Sequence, residues 1–382
     1  MRILMPSIVD PQVARSGAGT VTRNLVSLLE AAPLGATVEC VAIPSTVGRA
    51  HRFRQVVAIA RSMVSALPAK MAYTYSREFE SRVLALAAME HYDLVMINGS
   101  DLLWLEPLLP SRLPRLLVAF NIEYQIFESQ VERVNATYPG ARALLRRESA
   151  RAVRYELDGL RRTGNVMFLS SVDAATAAAT VSLRDSIVVP PMFGERVIRH
   201  HDRPRTGDRL ELGFIGNLRW WPNQYGLSWF VREVLPDIGR PAHLHVFGEG
   251  RPRASVDAAR VTLHGPIADL SQAWERCDLM ICPMRSGGGV SIKLAESVFH
   301  GRPTLTTPLA TRGMPLGSDD LLVVREPADW VSYLATVDLG SLRGRQMAEE
   351  ISRPFTYGEH RHRVQSFVRG LVAPAPLRAG SA

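Results

Sequence analysis

Two stretches of the chain place small residues, cations and a carboxylate where an anionic ligand would need them. The richer one runs Pro283-Met-Arg285-Ser-Gly287-Gly288-Gly289-Val290-Ser291-Ile292-Lys293-Leu-Ala295-Glu296 and on through Phe299 and Gly301 to Pro303. Three consecutive glycines carry a large backbone entropy cost, which is offset when a ligand or another backbone must come close. Set before a helix, such a loop is an anion cradle, because its amides and the positive end of the helix point at the same place. Lys293 or Arg285 can neutralise a pyrophosphate, and the Glu296 carboxylate can accept from two adjacent ribose hydroxyls. The plain alternative is a surface ion pair between Lys293 and Glu296 at i, i+3, worth only about 0.2 to 0.5 kcal/mol. The other stretch, Gly17-Ala18-Gly19-Thr20, also lets amides approach an anion at a helix start. Its alternative is a flexible turn with Thr20 as helix cap.

Short apolar runs must position these loops. Arg2 to Met5, Val38 to Ile43, Leu94 to Ile97, Leu116 to Phe120 and Val166 to Leu169 alternate with helical stretches, which predicts parallel β-sheet with helical crossovers. The rhythm restarts at Leu210 to Ile215 and continues through Leu244 to Phe247, Val261 to Leu263, Leu279 to Cys282 and Thr304 to Thr306. Two doubly wound α/β halves result, with a seam between Ile187-Val-Val-Pro-Pro191 and the polar stretch 200–208. Ligands of such sheets bind beyond the carboxyl ends of the strands, and the glycine loops lie at those ends. Val21, Leu25, Leu28 and Leu29 mark the buried stripe of the helix after Gly17. Ile292, Ala295 and Phe299 mark that of the helix after Gly289, with Ser291 as its cap and Gly301 and Pro303 at its end.

Composition removes several classes. At 382 residues with 46% hydrophobic and 21% charged, the chain suits two or three soluble globular domains. It has no apolar run of about 18 residues, and its first residues read as a buried strand, so a cytoplasmic protein is expected. Cys40, Cys277 and Cys282 form no CxxC pair and read as core residues. Lys70 and Lys293 are the chain's only lysines, and neither follows glycine, which excludes a Walker A loop. The dinucleotide fingerprint GxGxxG is missing as well. The net charge of +8 favours anionic partners, yet no nucleic-acid recognition motif accompanies it.

The 283–303 block resembles the donor-binding signature of glycosyltransferase family 4, the group-1 glycosyltransferases of GT-B architecture. Leu212 to Phe230, with Gly216-Asn217-Leu-Arg219-Trp-Trp-Pro-Asn223, Leu263 to Leu270, Trp274 to Pro283, Asn121-Ile-Glu123-Tyr124 and Ser170 to Asp173 resemble other segments of that family in the same order. The resemblance implies two Rossmann-like domains facing across a cleft. Residues 1–195 would form the acceptor-side domain, 205–354 the donor-binding domain, and 355–382 would cross back to the first. It implies transfer of a sugar from a nucleotide diphosphate donor to a hydroxyl acceptor (a saccharide, a lipid-linked saccharide or a small molecule), with retention and without a metal or other cofactor. Glu296 would hold the ribose, and Lys293 and Arg285 the phosphates. Gly287, Gly288, Gly289 and Val290 would offer amides to the pyrophosphate and sugar, Gly17 and Gly19 would close over it, and Gly265, Pro266 and Ile267 would flank the base. Gly216, Asn217 and Arg219 complete the donor side, and Asn121 and Glu123 are candidates for acceptor or sugar contacts, or for capping the next helix.

Three departures bear on this reading. The position eight before Glu296 is Gly288 where the family often has a second glutamate. Asn217 and Arg219 stand in a loop that commonly ends in lysine, leaving Arg219 as a substitute cation. Phe120 stands where a histidine is frequent. They keep two alternatives in view, a nucleotide-sugar-binding scaffold that has lost transfer and a GT-B nucleotide-sugar epimerase.

The remaining signals have plainer readings beside sharper ones. His243 and His245 alternate on a strand and suit a solvated face better than a metal site. His200, His201, His360 and His362 read as linker or surface residues. Trp220 and Trp221 either stack on an acceptor or anchor their loop by burial. Arg147, Arg151 and Arg154 share one face of a charged helix, whose default is a solvated surface and whose sharper reading is peripheral docking on anionic lipid at the inner face of the membrane.

Overall fold

The computed structural model describes residues 1–14, 16–44, 48–133, 139–195, 207–267, 269–316, 321–344 and 348–373. In the first half, β1 (Arg2–Ser7), α1 (Gly17–Glu30), β2 (Thr37–Ala42), α2 (Gly48–Val64), α3 (Ala69–Thr74), α4 (Arg77–Ala88), β3 (Leu94–Asn98), β4 (Arg115–Ala119), α5 (Glu123–Arg133), α6 (Pro139–Thr163), β5 (Asn165–Phe168), α7 (Ser171–Ala178) and β6 (Asp185–Val188) follow one another. The second half runs β7 (Leu210–Ile215), α8 (Trp221–Glu233), β8 (Ala242–Phe247), β9 (Val261–Gly265), α9 (Ser271–Arg276), β10 (Leu279–Cys282), α10 (Ile292–Phe299), β11 (Thr304–Thr306) and β12 (Leu322–Val323). It closes with α11 (Pro327–Thr336), α12 (Leu339–Gly344), α13 (Glu349–Ser352) and α14 (Tyr357–Val372).

Each half holds a six-stranded parallel sheet, in the orders β2-β1-β3-β4-β5-β6 and β12-β11-β10-β7-β8-β9. The central strands are buried on both faces, as continuous Val, Ile, Leu and Met runs demand in parallel sheets covered by helices. The strand order reverses between β1 and β3 in the first sheet and between β7 and β10 in the second. Those switch points are where an open α/β sheet leaves a crevice. At the first, Asn98 at the end of β3 donates to Ser7 Oγ of β1 (2.8 Å) and Thr22 Oγ1 of α1 (2.9 Å), which fixes the start of α1 over the crevice.

The stretch 187–191, read as the beginning of the seam, contributes Ile187 and Val188 to β6, paired with Met167 and Phe168. The polar stretch 200–208 lies mostly outside the described residues, as does the tail after Pro374. After the second sheet the chain returns: Val364 and Val368 of α14 pack with Ile3, Met5, Leu25 and Leu28, and Gln365 Nε2 donates to Leu28 O (2.8 Å) and Ala31 O (2.9 Å). Among the described residues no helix is long and apolar enough to cross a membrane.

Candidate functional site

The loops after β10, β7, β8 and β9 stand side by side because their strands are neighbours, although up to about seventy residues separate them in sequence. Gly248 N donates to Gly265 O (2.8 Å) and Gly216 N to Phe247 O (2.9 Å), which ties three of them together. A Cβ on Gly248, whose φ is +137°, would stand 2.0 Å from Gly216 O. Gly265 (φ +71°) has open space where a side chain would be, while Pro266 is exposed and Ile267 half-buried.

The glycine loop sits at the seam between the halves. Gly289 has φ +70°, and a Cβ there would lie 2.7 Å from Phe120 O and 2.8 Å from Asn121 Cβ. A Cβ on Gly288 would lie 3.0 Å from Ile126 Cγ1. The close approach that three glycines require is therefore met in part by the backbone after β4. From the first half the start of α1 also reaches this place, since a Cβ on Gly17 would meet Ile292, the first residue of α10, at 3.0 Å. Two helix N-termini, one from each half, thus converge. No acceptor among the described residues takes the amide hydrogens of residues 287–293, nor those of Gly17 and Ala18. Amides left open at two positive helix ends are able to receive an anion.

Two capping expectations change. Helix α1 begins at Gly17, and its cap is Ser16, whose hydroxyl accepts from Gly19 N (3.2 Å), so Thr20 lies inside the helix. Ser291 occupies the cap position of α10 without a capping bond, its hydroxyl lying 3.4 Å from Cys282 Sγ. Leaving the first amides of α10 unsatisfied by a side chain keeps them available to a ligand.

Lys293 and Glu296 do not pair with each other. The Lys293 ammonium is half-buried, donates to Asn223 Oδ1, and lies 4.9 Å from the Phe214 ring centre, and burial lowers its pKa. Asn223 is held in turn by donating to Asn217 O (2.8 Å). The Glu296 carboxylate has no hydrogen-bond partner among the described residues. Burial pushes its pKa up to about 7, with the Arg23 guanidinium of α1 pulling the other way. Arg285 lies 4.8 Å over the Trp229 ring, on the α8 side of the loop. Arg219 is exposed and pairs with Glu249 (3.0 Å), while its amide is held by Asn217 Oδ1 (2.8 Å). Trp220 and Trp221 are both partly exposed, so burial does not anchor their loop. Trp221 stacks on Tyr225 at 5.2 Å, and Trp220 borders Gly287.

On the first-half side, Asn121 touches the glycine loop as described, whereas Glu123 is buried and paired with Lys70, which also lies 3.2 Å from Asp101. The cap of α5 comes from Glu156 of α6, whose two carboxylate oxygens accept from Glu123 N (3.1 Å) and Tyr124 N (3.0 Å). Burial, reinforced by Glu123, pushes Glu156 up to about 8. Arg312, after β11, crosses the seam to Gln125 Oε1 (2.5 Å) and Asp173 Oδ1 (3.1 Å), and Asp173 is raised to about 6 by its burial despite that partner. Asn223 closed the 216–223 segment without being given a role, and Arg23 and Arg312 carried no motif. Only the position of Arg23 about a turn after Gly19 hinted at it.

Other expectations also change. His243 and His245 are buried: His243 Nε2 bonds Thr262 Oγ1 (2.8 Å), and His245 bridges His264 (2.9 Å) and Glu211 (3.0 Å), with burial lowering His245 to about 4. No cluster able to hold a metal ion occurs among the described residues. His360 is buried against Pro354 O (2.7 Å), and His200 and His201 lie outside the described residues. Arg147 and Arg154 are exposed, but Arg151 is buried, donating to Glu148 and to the carbonyls of Ser65 and Leu67, so the three form no common surface.

No curated protein sequence matches the chain. Residues 209–337 match the family described as "Glycosyl transferases group 1". Among solved structures, sucrose-phosphate synthase from Thermosynechococcus elongatus is similar with a TM-score of 0.69 at 15% identity, covering 97% of this chain and 99% of that one. HepE of Anabaena, solved in complex with UDP-glucose, gives 0.63 at 13% identity over 97% and 100%. WaaG, a glycosyltransferase involved in lipopolysaccharide biosynthesis, gives 0.58 at 12% over 97% and 98%. At these identities the likeness is one of fold, and it bears out the two-domain GT-B architecture along the whole chain. The resemblance to group-1 glycosyltransferases is borne out by the family match across the second half.

Proposed function

We propose that the protein transfers a sugar from a nucleotide diphosphate donor to a hydroxyl acceptor. The observation that carries this reading is the meeting of the α1 and α10 N-termini at the glycine loop, with the amide hydrogens of residues 287–293 unpartnered. A pyrophosphate there would take up those amides, and the low-dielectric seam would strengthen each contact. Glu296, ionised above pH 7 and lacking a partner, would accept from the two ribose hydroxyls. Lys293, oriented by Asn223, would face the developing charge on the leaving diphosphate. Loss of water as the halves close would raise the effect of both.

With the helix ends and Lys293 supplying positive charge, transfer would proceed without a metal, and the resemblance implies retention of configuration. The base would lie toward Gly265, Pro266 and Ile267, and Asn121 would border the sugar. HepE was solved with UDP-glucose, which makes uridine donors the first to try. The test is a thermal-shift screen of UDP, GDP, ADP and dTDP sugars, since a ligand that binds only the folded state raises its melting temperature. At least one donor should stabilise the wild type, and Glu296→Ala should reduce that shift at the same donor concentration. A flat screen would overturn the reading.

A further inference from the structure

The chain passes between the halves twice, and the two passages are bound to each other. Phe193 N donates to Phe355 O (3.0 Å) and Tyr357 N to Gly194 O (2.7 Å), so the crossing segments form one pivot. A pivot leaves the angle between two halves free unless contacts elsewhere along the seam set it.

Arg312 supplies such a contact. Its loop after β11 is built of turns, with Ala310 N donating to Thr307 O (3.0 Å) and Met314 N to Thr311 O (3.0 Å), and Thr307 Oγ1 ties it to Met284 O, just before the glycine loop. Ala310 and Met314 are buried with Met284 and Val290, so this loop and the glycine loop form one body. From there the Arg312 guanidinium crosses to two first-half helices, donating to Gln125 Oε1 of α5 (2.5 Å) and Asp173 Oδ1 of α7 (3.1 Å). Gly313 beside it, with φ +68°, presses on the cap of α7: a Cβ there would stand 2.1 Å from Ser170 Oγ, which accepts from Val172 N and Asp173 N.

The carboxylate that Arg312 meets depends on it. The Asp173 side chain is 1% exposed, and its Oδ2 is buried without a hydrogen-bond partner among the described residues. With the halves together and no cation at position 312, that charge would stand buried and unpaired, and parting the halves would relieve it by admitting water. The pair therefore favours the arrangement in which Gly17 meets Ile292 and Gly289 meets Phe120.

We infer that Arg312 is a positioning residue, whose bridge to Asp173 and Gln125 holds the halves where the α1 and α10 N-termini meet. Its bearing on transfer rests on the donor reading, and two measurements keep the two apart. Small-angle X-ray scattering of the full chain without donor should give Arg312→Leu a larger radius of gyration than the wild type. Steady-state kinetics should show its donor KM raised about tenfold with kcat within about twofold, because saturating donor restores the closed population.

Adding Asp173→Asn to Arg312→Leu removes the unpaired charge and should recover at least about threefold of the lost KM, whereas general damage to the loop is not mended by a second substitution. Gly313→Ala keeps Arg312 but drives a Cβ toward Ser170, and it should enlarge the radius of gyration likewise. Thermal melts show which variants have folded, and Gly313→Ala carries the same measurements should Arg312→Leu fail to fold. A wild-type scattering profile and KM in Arg312→Leu, a fall in kcat at unchanged KM, or no recovery in the double variant would overturn the inference. If no donor binds the wild type, the donor reading fails and scattering alone decides: larger radii in the variants uphold the bridge, and unchanged radii overturn it.

Discussion

The two lysines of the chain stand in opposite circumstances. Lys70, in the first half, faces Asp101 and Glu123. Burial alone would lower its pKa, but the two carboxylates outweigh it and hold the ammonium well above its ordinary range. Lys293, in the second half, has no carboxylate partner among the described residues, leans on a neutral amide, and is lowered by burial. The carboxylates divide the same way: Glu156 spends both oxygens on the amides that begin α5, and Glu296 spends neither. Similar residue types therefore do different work. A cluster in which Lys70 is paired and Glu156 caps a helix organises the first-half loops, whereas the proposed function assigns the unpaired groups at the seam to a ligand.

The contrast is sharpest in the variants it separates. Lys293→Ala should lower transfer by about 100- to 1000-fold, as removal of one preorganised donor of charge stabilisation does, with an unchanged melting temperature. Steady-state kinetics with the donor found in the screen checks this. Lys70→Met should do the reverse, destabilising the fold by about 1 to 2 kcal/mol by urea melt while leaving donor affinity intact. That figure is kept below the cost of breaking a fully buried pair because the Lys70 side chain is 43% exposed. If Lys70→Met abolished donor binding, the division between the two regions would fail. Asn223→Ala, which frees Lys293 from its only hydrogen-bonding oxygen among the described residues, should cost about tenfold in kcat with little change in KM, a loss near the free energy of one charge-assisted hydrogen bond.

The pH dependence is smaller and has a definite sign. Burial raises Glu296 from 4.5 to about 7, so the folded state holds that proton more tightly than the unfolded chain does. The stabilisation is complete below pH 4.5 and is lost as pH rises through 7. Glu296→Gln should therefore raise the melting temperature at pH 8, with the gain gone by pH 4.5. Donor affinity of the wild type should run oppositely, falling as pH drops below 7 because the ribose hydroxyls need the ionised carboxylate. Calorimetric melts and titrations across that range measure both.

Much of the architecture was legible in the sequence. Leu210–Ile215 and Leu279–Cys282 form strands at the expected residues, because short Val, Ile and Leu runs bounded by turn residues admit few other structures. The glycine loop was legible for the same local reason. What was not legible depended on contacts distant in sequence. Nothing near His243 and His245 announces that Glu211 and His264 would close over them from the neighbouring strands. Arg151 looked like one of three exposed arginines until the turn after α2 came to lie against it. Likewise Gly289 could be read as a ligand contact, but its nearness to Phe120 O is a property of how the halves meet.

The central claim is that the seam between α1 and α10 takes a nucleoside diphosphate. Isothermal titration of the wild type and Glu296→Ala with UDP, GDP, ADP and dTDP, and with the corresponding nucleosides, tests it directly. The account predicts that one diphosphate binds the wild type, that its nucleoside binds at least about tenfold more weakly for want of the pyrophosphate contacts, and that Glu296→Ala loses affinity by a similar factor. Equal affinity for nucleoside and diphosphate, or a Glu296→Ala protein that binds like the wild type, would contradict it.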